Sequence, residues 1–175
     1  MRLSIIKTKS AFTLIELLVV IGILTVLLAI VLIAINPARQ FSQANDTQRR
    51  SDVNALLNSV HQYAADNKGA LPGSIPTSGA AAKLCKPVLT CNDPDPAIDY
   101  CAGTTALAPK YVADIPRDPK DGTIAPAANT SSCAATTTAY DTKYTIISTG
   151  ASGGNRITVC AAAEITPPTN ICVTR

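Results

Sequence analysis

An uncharged run of 19 residues, Leu17 to Ile35 (LLVVIGILTVLLAIVLIAI), constrains this chain more than any other feature. As a helix rising ~1.5 Å per residue it spans roughly 28 Å, about the hydrocarbon thickness of a bilayer. It is longer than the ~7–15 apolar residues of a secretory signal, and no small-x-small cleavage site follows it. No Cys follows it closely, which argues against a lipoprotein. A plain membrane anchor fits the run but leaves Glu16 unexplained. A carboxylate in a helical span costs ~2.5–3.5 kcal/mol at the bilayer centre and less near the edge, and usually meets a partner. Flanking charge does not orient the span, because Arg2, Lys7 and Lys9 precede it and Arg39, Arg49 and Arg50 follow it.

Outside the run the chain has another character. Its 15 Lys and Arg face 12 Asp and Glu. Three of the cations lie in the first eleven residues, which leaves 12 against 12 in the body. That balance excludes a basic domain built for nucleic acid. One His and no Trp leave little material for a metal or His-based active site. No nucleophile–base pair stands out, and neither a GxxxxGK[ST] loop nor a dinucleotide fingerprint is present. The residues therefore point to a non-enzyme without a cofactor. From Gly69 onward, 107 residues contain 17 Leu, Ile or Val, 11 of the 12 Pro, 19 Ala and no Phe. So thin a core needs a helix, disulfides or neighbouring subunits. All six Cys fall after residue 84, which suggests disulfides in an oxidising compartment.

Lys9 to Leu24 reads KSAFTLIELLVVIGIL. A short basic leader, a small residue (Ala11), Phe12, three uncharged residues, Glu16 and a long apolar helix follow in order. This resembles the N-terminus of type IV pilins and of the related pseudopilins of type II secretion. The resemblance implies that a prepilin peptidase cuts between Ala11 and Phe12 and N-methylates Phe12. It implies that Glu16 pairs with the terminal amine of a neighbouring subunit during assembly; capping of the helix start by Glu16 is the plainer alternative. The family usually has Gly before the cut, and this chain departs from it with Ala11. The implied partners are other copies of the chain and related pilins, the peptidase, membrane lipid, and an inner-membrane assembly platform with a separate motor ATPase. The implied location is the cytoplasmic membrane, crossed once with the head outside the cytoplasm, and then a surface pilus. A structural subunit of a type IV pilus is the favoured reading, with a major pseudopilin of type II secretion as the alternative. LAPKYVADIPRDP, Leu107 to Pro119, resembles a segment in the heads of pilins and major pseudopilins.

The expected fold class is α+β: a long N-terminal helix packed on a small C-terminal antiparallel sheet. The expected segments are a leader (1–11), a transmembrane and assembly helix (12–36), its amphipathic half (37–68) and an extracytoplasmic, disulfide-bonded head (69–175). One helix from Phe12 to Lys68, roughly 85 Å if straight, kinks at Pro37 and ends at Gly69. Many members of the family have a helix-loosening Pro some four residues before Pro37, where this chain has Ile33. Val53, Leu56, Leu57, Val60 and Ala64 form the face that carries the head, whereas Ser42 to Asp52 reads as polar nearly all round. Leu71 to Asp99 reads as an irregular connection, and Thr130 to Thr138 as an exposed loop. Strands are expected at Lys143–Thr149, Arg156–Glu164 and Ile171–Arg175, with turns at Gly150–Asn155 and Thr166–Asn170.

Six Cys allow many connectivities. Proximity favours Cys85–Cys91, a hairpin favours Cys160–Cys172, and Cys101 and Cys133 remain. Asp93, Asp95 and Asp99 form one acidic group; Asp114, Asp118 and Asp121 form another. The second is the weak candidate for Ca²⁺, but Pro interrupts both groups and solvated turn carboxylates are the plainer reading. Asn45-Asp-Thr and Asn129-Thr-Ser match the glycosylation sequon weakly. His61, among polar neighbours, reads as a surface residue.

Overall fold

The computed structural model describes residues 12–73, 75–86, 96–150, 154, 156–165 and 169–175. The chain divides into two compact units, one up to Gln40 and one from Phe41 onward. In the first unit, α1 (Leu14–Ile35) is apolar around its whole circumference and has no buried residue. It is long and apolar enough to cross a membrane. Its hydroxyl group is satisfied internally, because Thr25 Oγ1 donates to the Gly22 carbonyl at 2.9 Å.

The single helix expected from Phe12 to Lys68 is two helices. Asn36 breaks it, with a left-handed φ of 46°. Pro37 disfavours the right-handed helical region for the residue before it, and Asn tolerates the left-handed one. Asn36 also caps the second helix: its carbonyl and Oδ1 both accept from Arg39 N, at 3.2 and 3.4 Å. That helix, α2 (Pro37–Asp66), starts with Pro at its first position, where the missing N–H costs nothing. At its other end Lys68 takes the left-handed conformation, and Gly69 N donates back to the Ala64 carbonyl at 2.7 Å.

The second unit contains one six-stranded mixed sheet among the described residues. Its strands are β1 (Ala82–Lys86), β2 (Ala97–Ile98), β3 (Thr123–Ala125), β4 (Ala139–Ser148), β5 (Ile157–Ala162) and β6 (Asn170–Thr174). The order is β2-β1-β4-β5-β6, and β3 pairs with β4. Two expectations are corrected here. The connection Leu71–Asp99 contributes β1 and β2, and these two pair in parallel, so the sheet is not purely antiparallel. Its Pro and Gly masked a five-residue segment whose Ala82, Leu84 and Cys85 are buried. The last two strands alternate as their sequence does, with Ile157, Val159, Ala161 and Ile171 buried. The expected turn residues 151–153, 155 and 166–168 lie outside the described residues.

Val53, Leu56, Leu57 and Val60 of α2 join the sheet's inner face in one core, while Ala64 is half-buried. Two other expectations change. Ser132 and Thr137 are buried, so Thr130–Thr138 is no freely exposed loop. His61 is half-buried rather than on the surface.

Candidate functional site

At the start of α1, Thr13 is extended and caps the helix. Its Oγ1 accepts from Glu16 N at 3.3 Å, and Glu16 Oε2 accepts from Thr13 N and Thr13 Oγ1 at 3.3 and 3.1 Å. This reciprocal box places a carboxylate at the positive end of the helix dipole. Glu16 Oε1 takes no hydrogen bond from the described residues. Phe12 stands beside it, 85% exposed, and Ala11 lies outside the described residues.

In the head, β4 changes partner halfway. Its first residues pair with β3 and its last with β5. Between them β4 bulges: Lys83 faces Thr145, but Cys85 faces Asp141. Lys143 sits at the bulge with a φ of 65°, an uncommon conformation for a residue with a Cβ. Asp141 stabilises it by accepting from Lys143 N at 2.9 Å and from its Nζ at 2.6 Å. At the bulge the buried Thr142 carbonyl accepts from Asp118 N at 2.9 Å rather than from a neighbouring strand. The 117–122 loop thus fills the gap where β3 leaves β4 and β5 joins it.

The residues Ser42–Asp52, polar nearly all round in sequence, bury one charged stripe. Asp46, Arg49 and Asp52 are all buried, and Arg49 is only 1% exposed. Arg49 Nε and Nη2 make a fork with Asp118 at 2.6 and 3.0 Å. Its Nη1 donates to Asp46 at 2.8 Å, and its Nη2 also donates to Glu164 at 2.9 Å. The carboxylates have further donors. Asp46 accepts from the N–H groups of Glu164 and Ile165 at 2.9 and 3.1 Å. Asp118 accepts from those of Lys120 and Asp121 at 2.9 and 2.8 Å. Glu164 accepts from Asn45 Nδ2 at 2.9 Å, with Lys120 Nζ 3.9 Å away.

Burial alone would raise Asp46 and Asp118, but these hydrogen bonds and Arg49 outweigh it and hold both below the ordinary carboxylate value. The Asn45 amide, against a burial penalty and with help from Arg49, holds Glu164 low as well. Asp118 does most to raise the Arg49 guanidinium pKa, against its burial penalty. Asp52 goes the other way. Its partners are neutral, Tyr144 OH and Gln48 Nε2, each at 2.8 Å, and burial pushes it up.

The sequence carries a signal for this cluster. Asp46, Arg49, Val53, Leu56 and Val60 follow one three–four spacing, so the charged residues continue the apolar face. Charge by itself reads as exposure, and the partners Asp118 and Glu164 are remote in sequence.

The remaining candidate residues fall elsewhere. Cys101 pairs with Cys133 and Cys160 with Cys172. Cys85 is disulfide-bonded, and Cys91 lies outside the described residues, as do Asp93 and Asp95. Asp114 accepts from Ser132 N and Cys133 N at 2.8 and 2.9 Å. Asp99 accepts from Cys101 N and Tyr140 OH, both at 2.8 Å. Of the weak calcium candidates, Asp114 and Asp118 therefore accept from protein donors, while Asp121 is exposed. Among the described residues no group of three or more His, Cys, Asp or Glu is placed to hold a metal. Both sequon amides are engaged, Asn45 with Glu164 and Asn129 Nδ2 with Thr137 Oγ1 at 2.9 Å.

Residues 6–32 match the family model of the prokaryotic N-terminal methylation motif. No curated protein and no solved structure matches the chain.

Proposed function

We propose that this chain, which carries at residues 6–32 the signature of type IV pilins and pseudopilins, is a structural subunit of a type IV pilus. The observation that carries the reading is α1 itself. Its large apolar side chains are all exposed, from Leu14 at 83% to Ile35 at 51%. Such a surface needs lipid before assembly and the helices of other copies afterwards. A filament drawn from the membrane supplies both in turn.

The precursor is held in the cytoplasmic membrane by α1. Prepilin peptidase removes the leader between Ala11 and Phe12 and methylates the new Phe12 amine. That amine and Glu16 are each costly in an apolar setting and tolerable as a pair. Glu16 Oε2 serves the helix cap, and Oε1 is left to accept the amine of a neighbouring copy. A separate motor ATPase supplies the work of extraction. The role is structural rather than catalytic.

The second reading is a type II secretion pseudopilin, which shares the N-terminal signature and whose head carries a segment similar to Leu107–Pro119. Intact-mass spectrometry on the filament fraction sheared from native cells tests both. A mass beginning at N-methylated Phe12 in that fraction is expected for the pilus. The same processed mass confined to the membrane pellet supports the pseudopilin. An unprocessed mass overturns both. In the same cells, Glu16→Gln is expected to leave membrane insertion intact and abolish filaments; normal filaments would remove the pairing role.

A further inference from the structure

We propose that the Arg49 cluster is a register lock, which fixes the head at one position along α2 so that copies can assemble. The proposal rests on the filament reading above.

The apolar face of α2 is repetitive. Shift the sheet one turn, about 5.4 Å, toward the helix C-terminus and three of the four buried apolar positions stay apolar, with only Leu57 replaced by a polar residue, His61. Leu57 takes the place of Val53, Val60 that of Leu56, and Ala64 that of Val60. These contacts alone discriminate weakly between registers. Apart from the buried bond of Asp52 to Tyr144 OH, the ties farther along α2 join exposed groups: Asn58 to Arg175, Tyr63 to the Thr104 carbonyl, and Asp66 to Lys110. Exposed ties select little.

The cluster discriminates strongly. The same shift would put Val53 where Arg49 stands and leave Asp118 and Glu164 facing a side chain with no donor. Arg49 joins three elements remote in sequence: α2 through Asp46, the 117–122 loop through Asp118, and the segment after β5 through Glu164. Its fork with Asp118 has one geometry, and that loop is itself seated on the bulge of β4. Three carboxylates around one buried guanidinium are also a poor choice for stability alone. Apolar residues of similar volume often do as well, and fixing one arrangement is the better-attested use of buried charge. In a filament held together by α1, the register of the head on α2 decides where each head meets its neighbours.

The test is the full chain carrying Asp46→Asn, Arg49→Met, Asp118→Asn and Glu164→Gln together. This removes all four charges and keeps an oxygen for the backbone N–H groups that Asp118 binds and for one of the two, Glu164 N and Ile165 N, that Asp46 holds on separate oxygens. In detergent micelles, nuclear Overhauser contacts between α2 and the sheet report the register. Wild type is expected to give one set; the quadruple variant is expected to remain folded with its disulfides oxidised and to give a shifted or mixed set. In cells it is expected to lose regular filaments, whereas Glu164→Gln alone, which keeps an acceptor for Arg49 and Asn45, retains them. A single unshifted set overturns the lock, and so do wild-type filaments from the quadruple variant. Failure of that variant to fold overturns it too, because the cluster would then be a stabilising element. If wild type itself forms no filaments, the filament reading fails, and the micelle contacts still decide the register claim.

Discussion

Arg49 shows how much one side chain can organise when it is buried with a full set of acceptors. Removing it alone is far harsher than removing the whole cluster. Arg49→Met leaves Asp46, Asp118 and Glu164 without their shared cation, at a cost of ~3–5 kcal/mol in urea unfolding of the full chain in detergent. Lys110→Met, which breaks an ion pair at the surface, is expected to change the same measurement undetectably. Neither partner of Arg49 outside the helix was legible in the sequence. Asp118 lies in a Pro-bounded loop that reads as solvated, and Glu164 follows a strand. The cap that Glu16 makes was legible because it is local: its partner Thr13 is three residues away.

Elements reveal themselves when their periodicity is unbroken, and hide when a bulge or a Pro-rich flank interrupts it. β5 and β6 alternate cleanly and were readable to within a residue or two. β1 was lost among Pro and Gly, and the first half of β4 was lost because the Thr142–Lys143 bulge resets the alternation there. Lys143 makes that bulge testable. A β-branched residue at a φ of 65° is strained, so Lys143→Val is expected to cost ~1–2 kcal/mol. Lys143→Gly relieves the backbone while losing the Asp141 contact, and is expected to be nearly neutral. A second test lies in the loop that the bulge receives. A Cβ on Gly122 would stand 2.6 Å from the Asp118 carbonyl oxygen and 2.8 Å from Arg117 Cβ. Gly122→Ala must therefore displace the loop and pull Asp118 from Arg49. The expected loss is ~1–3 kcal/mol, with amide exchange of Lys120 and Asp121 accelerated in the same variant.

At the scale of the molecule, the head holds a thin apolar core together with buried ionisable groups, and these make its stability depend on pH in two opposing ways. Asp46, Asp118 and Glu164 are held below their ordinary values of 3.8, 3.8 and 4.5. Their contribution is complete above those values and is lost as the pH falls through the lower values of the folded state. Asp52 is raised above 3.8. Its ionised form is less welcome in the fold than in the unfolded chain, so stability declines as the pH rises from 3.8 through its folded value. The sum is a maximum in mildly acidic solution rather than at neutrality. The melting temperature of the full chain in detergent should climb as the pH rises toward the ordinary carboxylate values of 3.8–4.5 and then fall as Asp52 ionises in the fold. Asp52→Asn keeps an oxygen for Tyr144 and has nothing to ionise. It should flatten the upper limb and leave the acid limb unchanged. A neutral maximum in wild type, or an upper limb that persists in Asp52→Asn, would mean that Asp52 is paired in the folded head by a cation that the fold does not show.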